Sequence, residues 1–188
     1  DVFNEDTGQP TSIDLVILDS ESTPKLFIES KFVESEFGGC SVFASGDCDG
    51  RNPAKNLEMC YLHHIGRRYW SLMDKYKITQ GPIGQDSICI FTNYYQFFRE
   101  ALFAFEHDGI FILLCDERSP VFYTDGPKGP RGLMPLLVDL LPAPLRDKVV
   151  LNIVDGIKGC FNGGPGANPQ FFTNYNTIHM FWKYNNIF

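Results

Sequence analysis

Runs of apolar residues, broken by polar and glycine-rich stretches, divide the chain into predicted elements. Ile13-Asp14-Leu15-Val16-Ile17-Leu18 is β-branched and apolar, which predicts a strand with much of both faces buried. The polar stretch from Asp19 to Lys25, containing Pro24, reads as a turn, and Leu26–Phe32 as a second strand. So short a connection makes the two strands an antiparallel hairpin. Gly38 and Gly39 close this region, and residues 40–52 read as a loop ending in Asn52-Pro53, a helix-start signal. Leu57, Tyr61, Ile65, Tyr69 or Leu72, Met73 and Tyr76 recur near helical spacing and predict one helix over about 54–77. A second helix is expected from Thr92 or Asn93 to just before Gly109, with Tyr94, Tyr95, Phe98, Leu102 and Phe105 on one face. Gly109–Cys115 has the continuous apolar character of a central strand covered on both faces. Leu133–Leu141 is expected to be helical despite Pro135, and Val149–Val154 to be a strand or a helix end. Residues 159–170 read as loop, and the aromatic, Asn-rich tail from Phe171 has no clean period.

Composition adds a class. The chain has 188 residues, 44% of them apolar and 21% charged, which suits a folded domain with one good core. The reading is a domain over 1–158 and a Gly-rich loop with an aromatic tail of unassigned role over 159–188. No apolar run approaches the roughly 20 residues a bilayer requires, and the opening residues lack the basic and apolar regions of a signal peptide. A soluble, cytoplasmic protein is expected. The first residue is Asp1 rather than Met, so an upstream element is expected to be missing. The net charge of −7 is unevenly spread. Residues 1–50 hold 11 acids against 2 bases, whereas 51–77 hold six bases (Arg51, Lys55, Arg67, Arg68, Lys75, Lys77) against Glu58 and Asp74. An acidic strand region followed by a basic helix suits a metal site beside a phosphate-binding surface, with Arg51, Lys55, Arg67 and Arg68 as candidate nucleic-acid contacts. A merely solvated helix face is the alternative.

Chemistry concentrates on the hairpin. Side chains two apart on a strand share a face, so Glu29 and Lys31 project together with Phe27. Folding the hairpin about its turn places position 29 or 30 opposite Asp14. Two carboxylates and an ammonium then converge at the end remote from the turn. An ordinary ion pair on a solvated edge would explain Lys31 alone. The apolar strands around the trio argue instead for a hard divalent cation, Mg2+ or Mn2+, held by Asp14 and Glu29. Lys31 would orient an attacking water and offset charge on a phosphate.

Asp14 on one strand and Glu29-Ser30-Lys31 on the next resemble the PD-(D/E)xK nuclease superfamily, with its restriction-endonuclease-like α/β fold of a mixed central sheet flanked by helices. The likeness of Phe27-Ile28-Glu29-Ser30-Lys31-Phe32, with Glu34 nearby, is to prokaryotic restriction-type and RecB-like members, and it extends through the Thr92–Phe105 helix into strand 109–115. The resemblance implies metal-dependent hydrolysis of phosphodiesters, usually in DNA, with Asp14 and Glu29 as metal ligands and Lys31 as the catalytic lysine. Residue 13 is Ile where the family name has Pro, and the first family helix is absent or precedes Asp1. RecB-like members also carry a Gln on the helix after the lysine strand, a role Gln96 would fill, unless it belongs to a solvated face with Arg99. Glu34 is either a third acid near the metal or a loop acid.

Six cysteines in such a chain do not suggest a disulfide framework. Cys115 reads as a buried apolar residue. Cys40, Cys48, Cys60 and Cys89 lack any CxxC pair, yet some RecB-like nucleases hold an iron–sulfur cluster on four cysteines in this region, and zinc would take the same ligand count. Separate thiols are the alternative. His63 and His64 point to different faces of a helix, and the segment 159–170 lacks the Lys-Ser/Thr ending of a phosphate loop. The leading expectation is a DNA-cleaving enzyme, acting as a homodimer or within a defence or repair complex. An inactive module of the same fold that binds nucleic acid or protein, and a cysteine-bound metal scaffold, are the competing readings.

Overall fold

A computed structural model describes residues 2–5 and 10–154. The predicted Gly-rich segment 159–170 and the aromatic tail lie outside the described residues, as does the proposed domain boundary at 158.

The sheet has four strands in the order β1-β2-β3-β4: β1 (Leu15–Leu18), β2 (Pro24–Lys31), β3 (Ile110–Asp116) and β4 (Val149–Val154). The hairpin pair β1–β2 is antiparallel, whereas β2–β3 and β3–β4 are parallel. This is a mixed sheet flanked by helices, compatible with the restriction-endonuclease-like fold. Around it lie α1 (Ser41–Ala44), α2 (Tyr61–His64), α3 (Tyr69–Lys75), α4 (Pro82–Gln85), α5 (Phe91–Glu106), α6 (Leu133–Asp139) and α7 (Ala143–Arg146). Among the described residues no helix precedes β1, and none is long and apolar enough to cross a membrane.

The hairpin turn is tighter than the polar stretch suggests. The Asp19 carboxylate accepts main-chain N–H bonds from Glu21 and Thr23, closing the turn by residue 23. Pro24 and Lys25 therefore belong to β2 instead of the turn. β1 also departs from expectation. Leu15 and Leu18 are each 50% exposed, because β1 pairs only with β2 and stands at the sheet edge. Central burial falls to β2 and β3, where Phe27, Phe111, Leu113 and Cys115 are buried and the alternate β3 residues only half-buried.

The single helix expected over 54–77 does not form. A 3-10 turn (Leu57–Met59), α2 and α3 replace it. Cys60 is extended, with φ −100° and ψ 115°, and Gly66 adopts a left-handed φ of +82°. Each interrupts the helical ladder despite the apolar spacing. Pro135 is tolerated because it falls in the first turn of α6, where its missing N–H has no intrahelical partner to lose.

α5 is the central helix. Phe97, Phe98, Ala101, Leu102 and Ala104 are at most 1% exposed. Aromatic edges join it to the sheet: Phe97 meets Phe111 at 5.9 Å between ring centroids, and Phe103 meets Phe27 at 5.7 Å. Its first turn is bent, with Tyr94 at φ −127° and ψ 28°. The cause is the loop after β2. Cys40 N–H donates to the Phe91 carbonyl at 2.7 Å, and the main chain of Gly39 lies so close to the Thr92 carbonyl that a Cβ would approach it at 2.1 Å. This contact delivers the first half of α5 to the face of β2 that carries Glu29 and Lys31.

Candidate active site

Glu29 and Lys31 emerge at the carboxyl end of β2, beside the carboxyl end of parallel β3, where Lys31 pairs in register with Cys115. Such strand ends are where open α/β sheets commonly place ligands. Both side chains belong to the buried face of β2, each residue 6% exposed. Asp14 stands one residue before β1, not inside a strand as the sequence suggested. Because Leu15 pairs with Ile28, continuing the register sets Asp14 across from Glu29. The Asp14 carboxylate accepts the Ser30 main-chain N–H at 2.9 Å, while the Asp14 main-chain N–H is bonded to the Glu29 carboxylate. The two acids are thereby held by each other's strand.

Lys31 Nζ lies 3.3 Å from Glu29 Oε1 and donates to Gln96 Oε1 at 3.0 Å. The same Gln96 donates from Nε2 to Glu29 Oε1 and to Glu100 Oε1, both at 2.8 Å. Gln96 is itself fixed by its main chain, whose N–H donates to the Gly38 carbonyl at 3.4 Å. Glu34 is exposed and 4.0 Å from Lys31. Its own main-chain N–H and that of Val33 hold its carboxyl below the usual range. It is a loop acid at the rim.

Electrostatics sorts the acids. Burial raises the Glu29 carboxyl, the Asp14 charge raises it further, and Lys31 opposes both. Glu100, with no exposure at all, is pushed up to about 8, first by burial and then by the Glu29 charge. Its Oε2 is buried without a hydrogen-bond partner. Sequence reasoning missed Glu100, although its position four residues after Gln96 on a helix was a usable signal, since such residues share a face.

Hard carboxylate oxygens from Asp14 and Glu29 suit a Mg2+ or Mn2+ ion, which takes one or two carboxylates and keeps waters in its remaining positions. Asp14 set across from Glu29 brings two carboxylates together at the strand end, a donor set that fits such an ion. Among the described residues, no three His, Cys, Asp or Glu side chains already stand in ligand geometry.

The remaining candidates are dispersed or lie elsewhere. Without the long helix, the basic residues fall on separate segments. Arg51 lies in a bridge to Ile88 and pairs with Asp49 at 2.6 Å, and Lys55 is exposed in the following turn. Arg67 donates to the Asn4 carbonyl, and Arg68 is exposed just before α3. Cys40, Cys48, Cys60 and Cys89 line one small cavity instead of this site.

Over residues 1–153 the chain matches the family model described as Restriction Endonuclease associating with ARP. No curated protein and no solved structure gave a match. The chain belongs to this restriction-endonuclease family.

Proposed function

We propose that this restriction-endonuclease family member hydrolyses phosphodiester bonds of DNA with a divalent metal ion, Mg2+ or Mn2+. The observation that carries the reading is the placement of Lys31 Nζ between Glu29 and Gln96, with Asp14 set across from Glu29. Asp14 and Glu29 would hold the ion. When bound, it would supply Lewis-acid polarisation of the phosphate and a readily deprotonated water.

The chain's own groups do the rest. Lys31 presents an ammonium at the mouth of the acid pair, where it neutralises charge building on the attacked phosphate and orients the incoming water. Gln96 fixes the lysine and Glu29 together through one amide, so neither relaxes away from the reacting geometry. The buried face of β2 keeps bulk water from the base of the site. Phosphates flanking the cleaved bond are positioned by exposed bases such as Arg51, Lys55 and Arg68. The family description names association with ARP, and we take that association as this chain's partnership too.

Supercoiled plasmid incubated with the full chain and Mg2+ or Mn2+ should be nicked or linearised, and EDTA should stop the reaction. Lys31→Ala should abolish cleavage while leaving the folded far-ultraviolet spectrum and most DNA binding in place. Undiminished cleavage by that variant would refute the assignment.

A further inference from the structure

Four cysteines far apart in sequence meet at one place. Cys40 precedes α1, Cys48 lies in the loop after it, Cys60 precedes α2, and Cys89 precedes α5. All four are free thiols, and they line one cavity of about 20 Å³ together with Phe43 and Phe91. Cys40 and Cys89 are buried, whereas Cys48 and Cys60 are half-buried, so the set is reached from solvent.

The main chain enforces the meeting. Cys40 N–H donates to the Phe91 carbonyl at 2.7 Å, and Cys89 N–H donates to the Gly50 carbonyl at 2.8 Å. Gly50 N–H donates to Cys48 Sγ at 3.4 Å, so this one residue holds both Cys48 and Cys89. Gly50 is required there: its φ is +74°, and a Cβ would lie 2.8 Å from the Phe43 ring. Cys60 is the extended residue that interrupts the expected long helix, and that interruption is what sets its side chain into the cavity.

The surrounding segment carries little regular structure of its own. Between Cys40 and Cys60 the regular structure is α1, four residues long, and a three-residue 3-10 turn, elements too short to persist alone. A crosslink among several passes of chain supplies what such elements do not.

We propose that Cys40, Cys48, Cys60 and Cys89 together bind one thiophilic metal ion, zinc by preference, which fastens the loop after β2 onto the start of α5. Four thiolates form a closed structural site of the kind zinc occupies. The cavity has room on the order of a single water molecule, which suits one ion rather than a four-iron cluster. The sulfurs do not yet stand in ligand geometry, and binding draws them onto the ion. The crosslink bears on the active site, because Gly38, two residues before Cys40, accepts the Gln96 main-chain N–H.

The full chain should be produced without a polyhistidine tag, washed with EDTA, and measured for metal by plasma mass spectrometry. One zinc per chain is expected. Protein grown on cobalt should show the intense thiolate charge-transfer and d–d bands of a tetrahedral four-sulfur centre. The double variant C48S/C60S should lose metal and bands together, whereas Cys115→Ser, on β3 and outside the cavity, should keep both. A native chain without metal and without cobalt bands would overturn the proposal. So would a brown protein containing iron and sulfide, or an intact mass lower by four hydrogens, which marks disulfides. If the double variant does not fold, the cobalt spectrum of the native chain decides alone.

Discussion

Replacing Glu100 by glutamine should stabilise the protein, and by more as the pH rises. Glu100 is fully buried, its Oε1 accepts one bond from Gln96, and its Oε2 has no partner. Its carboxyl ordinarily titrates at 4.5 and here is pushed up to about 8. Below pH 4.5 the group is protonated in the folded and unfolded chain alike and contributes no pH dependence. Between 4.5 and about 8 the unfolded chain releases a proton that the folded chain retains. Each pH unit in that window lowers stability by about 1.4 kcal/mol, a loss on the order of 5 kcal/mol once the folded group also ionises. Glutamine keeps the shape of the neutral acid and removes the loss. Urea unfolding in EDTA at about pH 5 and about pH 8.5 measures it. Native and Glu100→Gln proteins should differ by less than about 1 kcal/mol at the lower pH and by about 4–5 kcal/mol at the higher, the variant being more stable. Glu29 is raised in the same direction in both proteins, so it largely cancels in the difference. Parallel stability curves across this range would show that Glu100 titrates normally and that the buried acid has been misread.

Gln96→Leu keeps volume but deletes the bonds to Lys31, Glu29 and Glu100. On the proposed reading, in which Gln96 positions Lys31 and Glu29, kcat should fall roughly 10–100-fold with KM little changed. A change confined to KM would count against the positioning role. Gly39→Ala would drive a Cβ to 2.1 Å from the Thr92 carbonyl, where backbone faces backbone. Urea unfolding should show a loss of about 3 kcal/mol. An unchanged midpoint would mean that the contact between the loop and the start of α5 is looser than described.

Much of the fold follows from local pattern. The β-branched run before Asp19 and the alternation ending at Lys31 specify a hairpin, and its short turn fixes the register closely enough to set Asp14 near Glu29. The apolar stretch 110–115 announces a strand because nothing polar interrupts it. What local pattern cannot supply is position within the sheet. Leu15 and Leu18 look like core residues and are half exposed, since an apolar strand reads alike whether it has one neighbour or two. The misread helix has a different origin. Apolar residues at helical spacing between Leu57 and Tyr76 do face the interior in part, but Cys60 and Gly66 have conformations that break the ladder. Gly66 was a visible warning. Cys60 was not, because its extended conformation serves a cavity assembled from three other segments.

The candidate active site divides along the same line. Glu29 and Lys31 are legible together because a strand places residues two apart on one face, whatever surrounds it. Glu100 becomes visible only once α5 lies against β2, since burial is a property of neighbours. Gln96 then links the two levels by a matter of valence. Lys31 offers only donors, so the Gln96 carbonyl oxygen must face it, and the amide nitrogen is left for Glu29 and Glu100. One amide therefore ties the strand acid, the buried acid and the lysine into a single unit. A cation drawn to Glu29 would offset the charge that helps hold Glu100 protonated, so loading the site should shift the helix acid toward its ordinary range.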